Sequence, residues 1–97
     1  MTKSELIDAV TDKANIPRKR AEEVVNLIFE SMKESLISGD RIEIRGFGSF
    51  KTKHYKPYMG RNPKTGKLIE VKAKVLPVFK VGKELKNRVN SSQESSP

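Results

Sequence analysis

The segment between Lys51 and Lys74 constrains the fold most, because it carries too much charge to be buried. It contains eight lysine and arginine residues and a single acid, Glu70, for a net charge of +7. Its centre, residues 60–66, reads Gly-Arg-Asn-Pro-Lys-Thr-Gly, which is typical of a turn. Asn favours the first turn position, Pro presets φ at the second, and Gly66 accepts a positive φ. We therefore expect a projecting two-stranded ribbon whose partner is a polyanion.

The rest of the chain offers little apolar material for a core. The 97 residues of the chain suffice for one domain. Only 35% of them are hydrophobic and 6% are aromatic. Small domains often complete such a core by dimerising. Charge divides the chain as well, because residues 1–40 have a net charge of −2 whereas residues 41–90 have +11. The sequence thus separates a nearly neutral scaffold from a basic part that binds a partner.

Two helices are predicted in the N-terminal part. Thr2 and Glu5 form a capping-box pattern before a helix over residues 3–14. Pro17 fits the first turn of a second helix over about residues 18–38. This second helix carries an apolar stripe wider than the first helix alone should cover, formed by Ala21, Val24, Val25, Ile28, Phe29, Met32 and Leu36.

Alternating polar and apolar residues predict an antiparallel sheet after the helices. A half-buried strand over residues 41–45 leads through a tight connection at residues 46–48 to a strand that leaves the core beyond Phe50. After the turn, one long strand over residues 69–80 is expected to return to the core, with Pro77 marking an edge or a bulge.

A short helix and a polar tail are predicted at the C-terminal end. The helix covers about residues 82–89, and residues 91–97 are expected to be disordered because they have nothing to bury. The predicted fold class is therefore α+β, with one domain over residues 1–90 and a ribbon arm over about residues 52–74.

No arrangement in the sequence is typical of an enzyme. Gly60 and Gly66 are separated by five residues rather than four, and Leu68 stands where a phosphate-binding loop needs Ser or Thr. His54 is the one histidine and cysteine is absent, so we expect no catalytic residues, no metal site and no cofactor. We also expect no signal peptide and no membrane span.

Three motifs resemble one known family. They are Gly46-Phe47-Gly48-x-Phe50, Gly60-Arg61-Asn62-Pro63-x-Thr65-Gly66 and Phe79-Lys80-x-Gly82-Lys83-x-Leu85-Lys86. Over residues 1–90 the chain resembles the HU/integration host factor family of bacterial histone-like DNA-binding proteins, and it is most similar to HU. The resemblance implies an intertwined homodimer. Each subunit would have a helical dimerisation base, a three-stranded antiparallel sheet extended into a β-ribbon arm, and a short C-terminal helix.

The resemblance also implies a function and a binding site. The two arms would follow the minor groove of double-stranded DNA and would bend and compact it, largely without sequence specificity, in the cytoplasm and the nucleoid. Pro63 would intercalate between bases, while Arg61 and Asn62 would read the groove floor. Lys3, Lys80, Lys83 and Lys86 would contact flanking phosphates. The other expected DNA-binding residues of the arm are Lys53, Tyr55, Lys56, Tyr58, Lys64, Lys67, Lys72 and Lys74.

Tyr55 and Tyr58 stand where the family usually carries arginines. We expect Tyr55 to stiffen its strand, because Tyr is a good strand former. Tyr58 either does the same or stacks on a sugar or an unstacked base. Two alternatives stand beside the HU-like interpretation. One is a site-preferring subunit like integration host factor that pairs with a paralogue, and the other is a general polyanion or RNA binder.

Overall fold

The computed structural model describes residues 1–94 and has an α+β fold in the predicted order. Two helices, α1 (Lys3–Ala14) and α2 (Arg18–Ile37), precede five strands and a last helix, α3 (Lys83–Glu94). The strands are β1 (Ile42–Ile44), β2 (Gly48–Tyr55), β3 (Tyr58–Arg61), β4 (Leu68–Val71) and β5 (Lys74–Val81). Within residues 1–94 no helix is both long enough and apolar enough to cross a membrane.

Local signals determine where the first two helices begin and end. The hydroxyl of Thr2 accepts a hydrogen bond from the N–H of Glu5 at 3.1 Å, which confirms the predicted N-cap. Asn15 ends α1 in the left-handed conformation, with φ of 53°. Pro17 is the N-cap of α2 and not part of its first turn, because its ψ of 144° is extended.

A small core lies between α1 and α2. Arg18 links the two helices, since its guanidinium donates to Asp8 Oδ1 at 3.1 Å and to Ser4 Oγ at 3.2 Å. Behind this link, the hydrophobic side chains that are buried among the described residues are Ile7, Ala21 and Val25. Three buried side chains are far fewer than a domain of this length needs to be stable alone.

Part of the apolar stripe of α2 is exposed in one chain. Val24, Ile28 and Phe29 belong to this stripe and are 38%, 51% and 40% exposed. Phe47 and Phe79 are also exposed, although phenylalanine normally forms part of a core. Monomers rarely leave so much apolar surface in contact with water. A second copy of the chain would cover it and complete the core.

Three strands form an antiparallel sheet in the order β1-β2-β5. β2 and β5 pair along their whole length, from Gly48 opposite Val81 to Tyr55 opposite Lys74. Pro77 lies within this ladder on β5, which is an edge strand of the sheet in the described chain. Its position confirms the predicted edge, where a missing N–H is tolerated.

Phenylalanines pack together where the sheet meets the base. The ring of Phe79 lies 4.8 Å from that of Phe50 and 5.3 Å from that of Phe47, measured between centroids. Gly48 makes this packing possible, because a Cβ there would lie 2.5 Å from the Lys80 carbonyl oxygen and 2.7 Å from the Phe79 ring. Any side chain at Gly48 would push the two strands apart.

The ribbon continues beyond the sheet as a second ladder, formed by β3 and β4. Residues 56–57 separate the two ladders on the outgoing side, and residues 72–73 separate them on the returning side. The prediction of one long return strand is therefore wrong at residues 72–73. Pro57 has no N–H to donate, so the ladder loses a hydrogen bond where the outgoing chain passes this proline.

The last helix is longer than the sequence predicted. α3 continues to Glu94, so the prediction of disorder is wrong for residues 91–94, whereas residues 95–97 lie outside the described part of the chain. No glycine or proline occurs between Lys83 and Ser96, and each further residue of a helix gains a hydrogen bond once the helix has started. Polarity of the tail was therefore insufficient to end the helix.

The chain is extended for its length. Its radius of gyration is 19.4 Å and its principal extents are 58 × 40 × 27 Å, whereas a compact domain of about 100 residues has a radius of gyration of about 13 Å. The ribbon projects, as its charge predicted. It extends from a base formed by the helices and the three-stranded sheet, which exposes apolar side chains.

We predict that folding is coupled to dimerisation. Because a dimer gains stability by mass action, its Tm should rise by about 3–5 °C for each tenfold increase in protein concentration. Calorimetry at several concentrations measures this shift. A Tm that stays constant through the micromolar range would show that the folded chain is a monomer.

Candidate nucleic-acid interface

The tip of the ribbon is a tightly hydrogen-bonded turn. The N–H of Gly66 donates to the Asn62 carbonyl at 2.7 Å, and the N–H of Asn62 donates to the Lys67 carbonyl at 2.9 Å. Asn62 Oδ1 also accepts from the N–H of Lys64 at 2.9 Å. Gly66 has φ of 73°, as predicted, in a region that favours glycine. These bonds hold Pro63 at the apex of the turn.

Hydrogen-bond donors flank the proline. Arg61 Nη1 donates to the Gly66 carbonyl at 2.8 Å, which closes the base of the turn. A guanidinium has five N–H donors, so the others remain available to a ligand. Because Asn62 Oδ1 accepts a hydrogen bond within the turn, the side-chain amide nitrogen of Asn62 is the group that can donate to a ligand. The tip therefore presents donors beside an apolar ring, which suits the acceptors on the floor of the DNA minor groove.

The ladder of β2 and β5 has two chemically different faces. One face lies toward the helices, because Thr52 and Pro77 line a groove together with Leu36 of α2. Side chains alternate along a strand, so their neighbours in sequence point the other way. We call this opposite side the lysine face. It carries the predicted site residues Lys53, Tyr55, Lys74 and Lys80, and also Lys51.

The positive charge of the ribbon is not neutralised by ion pairs within the described part of the chain. Among residues 1–94, none of the eight cations between Lys51 and Lys74 has an ion pair, and the ion pairs that do occur involve Arg18, Arg20, Lys33 and Arg41. Like charges at this density repel one another. Binding of a polyanion would relieve that repulsion, which makes the ribbon the strongest candidate site in the chain.

The two tyrosines have different surroundings. Tyr55 is half-buried, with Lys53 Nζ 5.3 Å and Lys74 Nζ 5.7 Å from its ring centroid. Such cation–π contacts hold the lysines in place, in agreement with a stiffening role for Tyr55. Tyr58 is 58% exposed. It lines a groove at the break between the ladders together with Tyr55, Leu76, Lys56, Lys72 and Lys74.

A second basic surface lies where α3 begins. Lys80 and Lys83 line a groove there together with Arg41 and Arg45. These two arginines were absent from the predicted site, although their presence in a segment of strong positive charge was a usable signal. Arg41 Nε also lies 2.9 Å from Glu43 Oε1, so part of its charge is already compensated.

The two remaining predicted lysines lie farther apart. Lys86 is exposed on α3, at the end of the first turn that starts at Lys83. Lys3 begins α1 and lines a different groove, with Leu6 and Phe29, between the two N-terminal helices. Within one chain the structure therefore brings Lys80 and Lys83 together but leaves Lys3 in a separate place.

Comparison with known proteins identifies the family. The family model for bacterial DNA-binding proteins matches residues 1–90. The chain belongs to this family, which includes HU and integration host factor. It is thus an architectural DNA-binding protein and not an enzyme, as the sequence predicted.

Individual relatives represent both branches of the family. Integration host factor subunit beta of Halorhodospira halophila is 52% identical over 98 residues, which cover 100% of this chain and 96% of that protein. The corresponding subunit of Pseudoalteromonas translucida is 54% identical over 93 residues, covering 95% of this chain and 98% of that protein. Anabaena HU, from a cocrystal structure with DNA, superposes with a TM-score of 0.82 at 38% identity, and the match covers 100% of both chains.

We predict that arginine has different effects at the two tyrosine positions: it changes DNA binding at Tyr58 and the stability of the ribbon at Tyr55. Tyr58→Arg adds an exposed cation and should steepen the dependence of log Kd on log salt by about one unit per arm. Tyr55→Arg places a third cation beside Lys53 and Lys74 and should loosen the ribbon. Binding titrations over a range of salt concentrations test the first effect, and amide hydrogen exchange of β2 and β5 tests the second. If the two variants changed the salt slope and the hydrogen exchange by the same amounts, the different surroundings of the two tyrosines would have no effect and the prediction would be wrong.

Proposed function

We propose that this protein bends duplex DNA as a dimer whose two ribbons follow the minor groove. The observation that carries the proposal is the projecting ribbon, which has eight cations without an ion pair among the described residues, one acid, and a proline at its apex. Cations that neutralise phosphates release counterions, and the resulting attraction does not depend on base sequence. Because α2 needs a second copy to cover its apolar stripe, one assembly would carry two such ribbons.

Pro63 is proposed as the wedge that enters a base step. Its ring is rigid and apolar, and it has no N–H that would be left without a partner between bases. Unstacking costs a few kcal/mol per step, which the additional phosphate contacts of bent DNA offset. Arg61 and Asn62 would donate to base acceptors on the groove floor beside the wedge.

Lysines along the arm and the body would hold the bent duplex. Lys53, Lys56, Lys64, Lys67, Lys72 and Lys74 would contact phosphates beside the ribbon, and Tyr55 and Tyr58 would lie among them. DNA that bends back toward the body would then meet Lys80, Lys83 and Lys86 on the sheet and α3, and Lys3 on the helical base. Bending at many sites would compact DNA, which corresponds to a protein of the bacterial cytoplasm and nucleoid.

A site-preferring role is the second candidate function. It is supported by relatives named integration host factor subunit beta, which are 52% and 54% identical to this chain. In that case the chain would pair with a paralogue. The sequence-independent role is favoured by the chemistry of the arm, whose cations are mostly lysines, because a lysine acts on phosphate as a point charge.

We predict that the wedge and the charges of the tip are separable. Pro63→Ala should reduce DNA bending, measured by energy transfer between the ends of a duplex, while the salt dependence of Kd stays nearly constant. Arg61→Ala should weaken binding and make the salt slope shallower by about one unit per arm. Lys64→Ala is the control, because it removes the same charge from the tip without removing the bond from Arg61 to Gly66. Parallel losses of bending and affinity in the Pro63 and Arg61 variants would argue against this division.

We also predict strong dependence on salt and weak dependence on sequence. If the dimer neutralises about 6–10 phosphates, its affinity should fall about 10³–10⁵-fold between about 50 and 200 mM salt. Competition with duplexes of scrambled sequence should change the apparent affinity only slightly. A duplex preferred by about 10³-fold would establish the site-preferring function instead.

A further inference from the structure

The ladder of β3 and β4 has one face without any charge. Tyr58 pairs with Val71, and Gly60 pairs with Ile69. Since side chains alternate along strands, these four residues share one side of the ribbon. We call this side the apolar face. The opposite side carries the charged Arg61 and Glu70 together with Met59 and Leu68.

The apolar face is continuous and accessible. A Cβ placed on Gly60 would lie 3.5 Å from Val71 Cγ2 and 3.6 Å from Tyr58 Cε2, so the tyrosine ring and the valine methyl group meet above the glycine. Tyr58 and Ile69 are 58% and 50% exposed. An exposed apolar surface in the most basic part of a chain is unexpected if the ribbon contacts phosphates alone.

The apolar face continues the lysine face. Tyr58 lines one groove with Tyr55, Lys74 and Leu76, which belong to the lysine face. The two faces therefore meet at this groove and form one side of the ribbon. Along this side the surface changes from lysines near the body to apolar side chains near Pro63.

We propose that the apolar face lies against the deoxyriboses of the minor groove, and that this contact makes the protein select DNA over RNA. The inference rests on the proposed minor-groove function. Phosphates line the rims of the groove, within reach of lysines, whereas the sugars between them present mostly C–H groups to a ribbon inside. Ile69 and Val71 offer such sugars an apolar partner.

An RNA duplex presents a different surface to the same ribbon. Its minor groove is wide and shallow and displays the 2′-hydroxyl of every sugar. A hydroxyl that is pressed against isoleucine or valine loses its water and gains no hydrogen bond, which is unfavourable. The lysines meet phosphates in both duplexes, so electrostatic attraction alone does not discriminate between DNA and RNA.

The test compares a DNA duplex with an RNA duplex of the same sequence and length. The full-length protein should bind the DNA duplex at least about tenfold more tightly, since each 1.4 kcal/mol of lost contact changes Kd tenfold. Ile69→Thr places a hydroxyl on the apolar face, so it should weaken DNA binding and bring the two Kd values closer together. Leu68→Thr is the matched control, because Leu68 is adjacent, 61% exposed and on the opposite side. It should leave the ratio unchanged.

The outcomes separate this inference from the proposed function. Tight binding of DNA with a preference over RNA of less than about tenfold would overturn the selection of DNA while the bending function stands. A DNA-to-RNA ratio that responds equally to Ile69→Thr and Leu68→Thr would also overturn it, because the apolar face would then have no special part. Failure of the wild-type protein to bind DNA at all would overturn the proposed function itself. Melting curves of both variants should match that of the wild-type protein, which checks that the ribbon substitutions leave the fold intact.

Discussion

Burial of the α2 stripe is the interaction on which the rest of the structure depends. One chain buries only Ile7, Ala21 and Val25 among its described hydrophobic side chains, and it leaves Ile28, Phe29, Phe47 and Phe79 partly exposed to water. A ribbon as highly charged as this one contributes no core of its own, so the base must supply the stability of the whole subunit. Dimerisation therefore does two things at once. It completes the fold, and it fixes two ribbons on one rigid body, which a bent duplex requires.

The sequence predicted those features that depend on a few neighbouring residues. The N-cap at Thr2 and the turn that ends at Gly66 follow from side-chain chemistry within four positions, and both are present. The end of α3 was misjudged, because polarity was taken as a stop signal where neither glycine nor proline was present. The break at residues 72–73 was also missed, since the proline that accompanies it lies on the other strand. Pairing across strands is not visible in a local pattern.

In the candidate site too, residues adjacent in sequence were predicted, whereas residues that only the folded sheet brings together were missed. Arg61, Asn62 and Pro63 were predicted together because they adjoin in sequence, and the turn holds them together. Arg41 and Arg45 approach Lys80 and Lys83 only after the sheet forms, so strand alternation alone could not assign them. The apolar face of the distal ladder required the register of β3 and β4. Apolar residues also occur on the opposite side, at Met59 and Leu68, so the uncharged face cannot be recognised without the register.

The charge of the ribbon has a consequence that precedes any contact with DNA. β3 and β4 form a two-stranded sheet, so each has an open edge in the described chain, and one side of that sheet is apolar. Open edges of this kind readily add strands from other molecules and begin aggregation. Lysines along the ribbon keep copies of this protein apart, because their positive charges repel one another. The lysines that attract the nucleic acid thus also prevent the free protein from aggregating through its ribbons. Loss of these charges would impair both DNA binding and solubility.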